Sequence, residues 1–214
     1  MLTRLHEQAF TKLSRFTYRL VSSPTEKILN LSMNIFHKRQ GQVDINFCYF
    51  YTDTIYQFRH LLADDALKLE VISSLLYLVQ KEIVTLYGFV IMPNHIHLLW
   101  YILKQNGKES AAGSLAKFTG HRFKKYLLQT NQLHLYKSDK DDRAFQFWKR
   151  DPLAIPVSTE KIFISKLEYI HNNPVKWNLC TYPEEYKWSS ARFYWEGIDD
   201  FNMLTHYKEY SFGW

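Results

Sequence analysis

Two strand-like segments with only two residues between them constrain the fold more than any other feature of this sequence. Residues 84–92 and 95–102 are rich in apolar and β-branched side chains, and Pro93 and Asn94 separate them. Parallel neighbours in a sheet need a connection of about a dozen residues or more, whereas antiparallel neighbours can be joined by a turn of two. The two segments are therefore predicted to be antiparallel strands.

Strand and helix patterns alternate along the rest of the chain. Apolar residues at two-residue spacing indicate strands, and apolar residues three or four apart indicate helices. In chain order the predicted elements are strand 43–52, helix 64–81, strands 84–92 and 95–102, helix 114–129, a short strand at 145–149 and helix 159–173. This order predicts an α+β fold, a ferredoxin-like antiparallel sheet with its helices packed on one face. Pro174 is expected to end the last helix.

Residues 1–41 differ in character from the remainder of the chain. They contain two loosely amphipathic helical runs, which are separated at residues 22–24 and followed by the basic residues 37–39. We predict an N-terminal helical and basic extension over residues 1–41, which serves in packing or as a contact arm. A main domain is expected over residues 42–214.

The composition favours a protein that binds a polyanion. The formal net charge is +6, and basic proteins gain affinity for nucleic acid by releasing counterions from phosphates. The chain has 15 tyrosines, 15 phenylalanines and 6 tryptophans; exposed rings stack on unpaired bases, although most are expected to pack in the core. The two cysteines form no CxxC pattern and no apolar run approaches the ~18 residues of a membrane span, so we expect a cytoplasmic protein.

The clearest candidate site is the pair His95 and His97. Alternate residues of a strand point to the same face, so both imidazoles project to one side while Ile96 points to the other. Two adjacent imidazoles can share one divalent metal ion, but such a site needs at least a third ligand. The alternative interpretation is two ordinary strand histidines without a metal.

A second candidate lies on the helix predicted for residues 159–173. Tyr169 and Asn173 are four residues apart and therefore share one helix face. Asn173 precedes Pro174 at the predicted helix end, where its amide oxygen can turn inward. A tyrosine hydroxyl beside a metal-bound phosphate can attack phosphorus and form a covalent phosphotyrosine. The alternative is a packing role for Tyr169, which is one of 15 tyrosines.

Five short segments between residues 83 and 195 carry a family resemblance. They are Gly-Phe-Val-Ile-Met-Pro-Asn-His-Ile-His-Leu-Leu at 88–99, Ser-Leu-Ala-Lys-Phe-Thr at 114–119, Phe-Trp-Lys-Arg-Asp at 147–151, Tyr-Ile-His-Asn-Asn-Pro-Val-Lys at 169–176 and Trp-Ser-Ser-Ala-Arg at 188–192. In this order the sequence resembles the HUH single-tyrosine transposases, closest to the REP-associated tyrosine transposases and their insertion-sequence relatives. Each segment alone has little specificity, and the combination carries the resemblance.

The resemblance implies an assignment of the site residue by residue. His95 and His97 match the histidine pair that binds Mg²⁺ or Mn²⁺ in this family, and Asn173 stands where the family has a third polar ligand. Tyr169 stands at the position of the nucleophile, which would attack a single-strand phosphate and leave a 5′-phosphotyrosine and a free 3′-hydroxyl for rejoining. Residues 42–214 would then form an HUH transposase-like catalytic domain that uses a divalent metal ion and no nucleotide cofactor.

The same resemblance implies partners. The expected substrate is single-stranded or hairpin DNA, the expected state is a monomer or a homodimer, and DNA binding would associate the protein with the nucleoid. Basic side chains on helix 114–129 and after Trp148 are candidate phosphate contacts beside the active site, and a solvated basic face is the alternative. These DNA-binding candidates are Lys117, His121, Arg122, Lys124, Lys149 and Arg150. His171 is turned away from Tyr169 and is interpreted as a packing residue or a phosphate contact.

Three functions remain open from the sequence. The first is a metal-dependent DNA transesterase with Tyr169 as nucleophile, acting as a single-strand endonuclease and strand transferase. The second is a nucleic-acid-binding protein that retains the fold without the reaction. The third is metal-assisted hydrolysis by water, with Tyr169 only structural. The presence of all four candidate groups favours the first, and covalent attachment of DNA to the protein distinguishes it from the others.

Overall fold

Within residues 43–210, which a computed structural model describes, four strands form one antiparallel sheet. The strands are β1 (Phe47–Thr54), β2 (Val84–Ile91), β3 (His95–Ile102) and β4 (Leu153–Pro156). The helices are α1 (Asp65–Gln80), α2 (Ala111–Gln129), α3 (Glu160–Lys176) and the short α4 (Ala191–Glu196). The predicted α+β class is confirmed, and the prediction for residues 1–41 lies outside the described residues. No helix of the described part is long and apolar enough to span a membrane.

The strands lie in the order β2-β3-β1-β4, so β1 and β3 are central. β2 and β3 pair in antiparallel fashion, as their short connection predicts. On the other side of β3, Thr52 lies opposite His97 and Thr54 lies opposite His95. This register brings side chains of β1 next to both histidines.

The last strand forms later in the chain than predicted. The segment 145–149 makes isolated bridges, one of which joins Trp148 to Ile55, whereas Leu153–Pro156 pairs with β1. Asp151 lies between the two segments with a φ of 62°, a left-handed conformation that interrupts an extended strand. The prediction of a strand at 145–149 is therefore wrong in position.

The helices lie on both faces of the sheet. Strand residues alternate in direction, and Ile96 and Leu98 of β3 pack with α1 and α2 in the larger core. Leu99 points the other way and packs with Phe163 and Leu167 of α3 in a smaller core. The prediction that the helices pack on one face is therefore wrong for α3. The reason is that the central strands β1 and β3 are buried on both faces, so each face requires a covering layer.

Side-chain caps determine where the three long helices begin. Asp64, Ser110 and Thr159 each accept a hydrogen bond from a backbone N–H in the first turn of α1, α2 and α3, respectively. α2 therefore begins at Ala111 rather than at the predicted residue 114.

Gly88 allows α3 to approach the sheet closely. A Cβ atom at this position would lie 2.7 Å from Cδ1 of Leu167 on α3 and 3.4 Å from Oγ of Ser190. β2 also has an irregular register between Leu86 and Gly88. The absence of a side chain at residue 88 thus helps to set the distance between the sheet and the helix that carries Tyr169.

Candidate active site

His95 and His97 lie side by side on β3, on the face of the sheet that α3 covers. Their ring centroids are 4.7 Å apart. Ile96 between them is buried in the core on the opposite face. His97 is buried and His95 is half-buried. Both imidazoles thus project to one side, as the alternation of strand residues predicts.

A hydrogen bond at Nδ1 orients each ring. Nδ1 of His97 is 2.7 Å from Oγ1 of Thr52, and Nδ1 of His95 is 2.6 Å from Oδ1 of Asn94. An amide oxygen can only accept, so Nδ1 of His95 carries the proton and its Nε2 carries the lone pair. Nε2 of His97 is buried and has no hydrogen-bond partner among the described residues. Proteins commonly present imidazole nitrogens to a metal ion in this way, with the second ring nitrogen held by a neighbour.

Burial keeps both imidazoles neutral. It lowers the pKa of His95 to about 4, although the side chain of Asn173 acts in the opposite direction. The pKa of His97 lies well below its ordinary value, mainly because of burial and also because His95 and Lys166 are nearby. A neutral imidazole retains the lone pair that a metal ligand requires.

Tyr169 of α3 lies against this pair. Its ring centroid is 5.2 Å from that of His97 and 5.8 Å from that of Phe50 on β1. Phe50 also stacks on His97, at 5.2 Å between centroids, and so forms one wall of the site. Tyr169 remains 42% exposed. It is therefore accessible to a substrate, unlike a tyrosine that only fills the core.

Asn173 contributes a buried amide one helical turn after Tyr169. The residue is 4% exposed, and its Oδ1 makes no hydrogen bond of ordinary geometry among the described residues, although it lies close enough to His95 to raise the pKa of that ring. Leaving such a group unpaired costs about 1–3 kcal/mol, so buried polar atoms are normally satisfied. Four buried side-chain atoms of residues 43–210 lack a partner, and two of them belong to Asn173 and His97. Both atoms are available to a ligand.

α3 continues past Pro174, so the prediction that this proline ends the helix is wrong. The helix extends to Lys176, and the N–H of Trp177 donates to the carbonyl oxygens of Asn173 and Pro174, both at 3.2 Å. A proline in the last turn removes only one backbone donor, and the turn is closed by the residues that follow. Asn173 consequently lies within the helix, on the same face as Tyr169.

The three candidate donors form a mixed set of two imidazole nitrogens and one amide oxygen. Imidazole nitrogens suit transition-metal ions, whereas Mg²⁺ prefers oxygen ligands and fits such a set less well. Within residues 43–210, no group of three or more His, Cys, Asp and Glu side chains is placed to hold a metal ion. A metal ion at His95 and His97 would therefore depend on Asn173 and on oxygen atoms of water or phosphate.

Two lysines of α3 stand near Tyr169 and were not among the predicted site residues. Nζ of Lys176 is 5.2 Å from the centre of the Tyr169 ring, and Nζ of Lys166 is 4.9 Å from the centre of the Phe50 ring. Residues 166, 169, 173 and 176 are spaced by three or four, so helical spacing alone could have identified both lysines. They bring positive charge to the place where a phosphate would meet Tyr169.

The sheet separates the DNA-binding candidates of α2 from Tyr169. α2 packs on the face of the sheet opposite α3, so the expectation that these candidates lie beside the active site is wrong. Arg122 instead holds both carboxylate oxygens of Glu70 on α1, each at 2.7 Å. Lys117 pairs with Glu109 at 2.5 Å. Arg122 therefore has a structural role in joining two helices.

The remaining candidates lie on α2 and on the loop that precedes β4. His121 and Lys124 are exposed on α2. Lys149 and Arg150 border a cleft of about 1000 Å³ between the start of α2 and the loop that precedes β4, and Arg150 pairs there with Asp142. Contact of these residues with DNA stays a prediction.

His171 is a packing residue. It is buried, its Nε2 is 3.0 Å from Oγ of Ser190, and its ring contacts those of Tyr194 and Trp195. Burial lowers the pKa of His171 to about 3, so the ring is neutral. The packing interpretation of His171 is confirmed.

Comparison with known proteins gives a structural match. No protein-family model matches the chain, and no match was found among curated proteins. The fold is similar to the solved structure of a REP-associated tyrosine transposase bound to a REP hairpin, with a TM-score of 0.51 and 15% sequence identity. The match covers 82% of this chain and 96% of that chain. At this identity the likeness concerns the fold alone, which is similar to that of the solved transposase.

Proposed function

We propose that this protein cleaves and rejoins single-stranded DNA, with Tyr169 as nucleophile and His95, His97 and Asn173 as ligands of a divalent metal ion. One observation carries the proposal. An exposed tyrosine lies 5.2 Å, between ring centroids, from a buried histidine whose Nε2 has no hydrogen-bond partner among the described residues. An unpaired buried nitrogen is costly in a folded protein unless a ligand completes it.

Tyr169 would supply the reactive oxygen. Its Oη forms a bond to phosphorus while the bond between phosphorus and the 3′-oxygen breaks, which leaves a 5′-phosphotyrosine and a 3′-hydroxyl. Since Tyr169 is exposed, solvent can take its proton and can protonate the leaving oxygen. Because one phosphate ester replaces another, attack by a 3′-hydroxyl can reverse the reaction and rejoin DNA without an external energy source.

The surrounding groups would bind and orient the DNA phosphates. Lys166 and Lys176 place two cations beside the rings of Phe50 and Tyr169, where they can neutralise the phosphates that flank the cleaved bond. Such contacts position a strand without reading its sequence. A metal ion held by the two histidines and Asn173 would stabilise negative charge on the attacked phosphate.

The structural likeness supports this proposal and extends it to the substrate. The transposase of similar fold is bound to a REP hairpin, and we infer that hairpin DNA with adjoining single strand is the substrate here. We also infer a ferredoxin-like topology, because the described elements follow the order β-α-β-β-α-β and the strands lie in the order β2-β3-β1-β4.

Covalent capture tests the proposal. Purified protein is incubated with labelled hairpin DNA from the sequence that flanks its own gene, with Mn²⁺ or Mg²⁺, and resolved on a denaturing gel. We expect a metal-dependent band of protein linked to DNA, which Tyr169→Phe and His97→Ala abolish. Tyr182→Phe is the matched control, since Tyr182 is also exposed and follows α3 in the chain; this variant should retain the band.

The other outcomes favour the alternative functions. Binding of the hairpin without a covalent band would favour a nucleic-acid-binding protein that is catalytically silent. Cleavage without a covalent band, retained in Tyr169→Phe, would favour water as the nucleophile.

A further inference from the structure

We propose that Trp177 forms a stacking site for an unpaired nucleobase next to the phosphate that Tyr169 attacks. This inference rests on the proposed function and adds a base-binding subsite to it. Trp177 directly follows α3 and is 43% exposed. Its ring centroid lies 5.7 Å from that of His95. A large aromatic surface thus borders the candidate metal site.

The turn that closes α3 holds this tryptophan in place. The backbone N–H of Trp177 donates to the carbonyl oxygens of Asn173 and Pro174, both at 3.2 Å, and the N–H of Leu179 donates to Pro174 at 2.9 Å. Trp177 follows Asn173 by four residues, which is about one helical turn. The backbone of Trp177 is therefore part of the same closed helical turn as Asn173, and this places its indole on the element that carries Tyr169.

The surroundings of Trp177 fit a nucleobase on a single strand. Core packing does not account for the exposed ring, whose only ring contact among the described residues is with His95. The preceding residue is Lys176, with its Nζ 5.2 Å from the centre of the Tyr169 ring. Sites for single-stranded nucleic acid combine cations that follow the phosphates with aromatic rings on which bases stack. Here Tyr169 and Lys176 would contact a phosphate, and the next residue, Trp177, would stack on a base.

Fluorescence anisotropy tests the stacking site in a Tyr169→Phe background, which cannot form the covalent linkage. The probes are a labelled thymidine oligonucleotide of about 20 nucleotides, longer than the ~4–16 nucleotides of one binding fold, and an abasic oligomer of equal length. We expect Trp177→Ala to weaken binding of the thymidine oligomer about 5- to 150-fold, as loss of one stacked base does, and to leave the abasic oligomer unaffected. Trp177→Phe keeps an aromatic face and should retain most of the affinity.

Trp195→Ala provides the matched control. Trp195 is 57% exposed, and its ring contacts His171, which is turned away from Tyr169 on α3. This variant should bind both oligomers as the parent does. The stacking site is overturned if Trp177→Ala binds the thymidine oligomer as tightly as the parent, or if it loses affinity for both oligomers equally.

The two proposals fail in different ways. If the parent binds neither oligomer, the stacking site is overturned, whereas the proposed hairpin substrate is judged separately by covalent capture. If binding depends on Trp177 but the wild type forms no covalent adduct with hairpin DNA, the proposed reaction is overturned and the stacking site stands.

Discussion

Asp53 leads to a prediction about the stability of the fold that does not depend on DNA. Its carboxyl group on β1 is 3% exposed and accepts hydrogen bonds from the Tyr51 hydroxyl at 3.1 Å and the Thr54 N–H at 2.9 Å. Burial raises the pKa of Asp53 from 3.8 to about 7, and these two hydrogen bonds offset the effect only in part. In the unfolded chain the pKa returns to about 3.9. The folded protein therefore keeps a proton that the unfolded chain has lost.

The sign and size of the effect follow from this difference. Between about pH 4 and about pH 7 the native state binds more protons than the unfolded state, so the free energy of unfolding falls as the pH rises and levels off above this window. A shift of roughly three pKa units corresponds to about 4 kcal/mol, of which about 3 kcal/mol is lost between about pH 5 and about pH 8. Asp53→Asn preserves the shape of the side chain and cannot ionise. The fall in the free energy of unfolding that Asp53 causes should therefore be absent in this variant.

Urea unfolding at about pH 5 and about pH 8 measures the difference between the two proteins. We expect the wild type to lose about 3 kcal/mol relative to Asp53→Asn over this interval. Tyr51→Phe serves as a second variant, because loss of the Tyr51 hydrogen bond should raise the pKa of Asp53 further and extend the fall in stability to higher pH. Equal pH dependence of the wild type and Asp53→Asn would refute the claim that burial keeps Asp53 protonated.

Three further predictions concern the candidate site and the basic residues. Mn²⁺ at 100 times its dissociation constant should raise the free energy of unfolding of the wild type by about 2.7 kcal/mol and leave that of His97→Ala unchanged; an equal rise in both would place the ion elsewhere. Lys176→Ala should slow covalent capture, with a smaller difference from the wild type at high salt because salt screens phosphate contacts. An unchanged rate would mean that Lys176 only packs on Tyr169. Arg122→Ala should lower the Tm slightly, since it breaks the pair with Glu70, and leave hairpin affinity unchanged; a weaker affinity with a reduced salt dependence would show that Arg122 contacts DNA.

Local rules of chain geometry were sufficient to place the main site residues. Alternation along β3 put His95 and His97 on one face, and helical spacing put Tyr169 and Asn173 on one face of α3. The same spacing, applied once more, would have identified Lys176. These inferences succeed because they depend only on residues a few positions apart.

Contacts between distant segments could not be derived in this way. Phe50 and Thr52 lie beside His97 because of the register between β1 and β3, which the pattern of either strand alone does not specify. The sequence also did not indicate on which face of the sheet each helix packs, since β3 is apolar on both sides. This uncertainty produced the wrong location for Lys117 and for the other basic residues of α2.

The rule that proline ends a helix failed at Pro174, where a proline costs little energy. Proline usually ends a helix because it removes a hydrogen bond and clashes with the preceding turn. Pro174 lies in the last turn of α3, where backbone donors of Trp177 and Leu179 close the helix beyond it. Because the helix continues past Pro174, Asn173 lies within α3 and on the same face as Tyr169.

Locating the attached DNA on the protein would decide whether Tyr169 is the nucleophile. After capture on hairpin DNA, nuclease and trypsin treatment leaves a short nucleotide on the reactive residue, which mass spectrometry can identify. We expect the modification on Tyr169, in the tryptic peptide of residues 167–176. A nucleotide on any other residue, or cleavage of the hairpin with no modified peptide, would contradict the proposed mechanism.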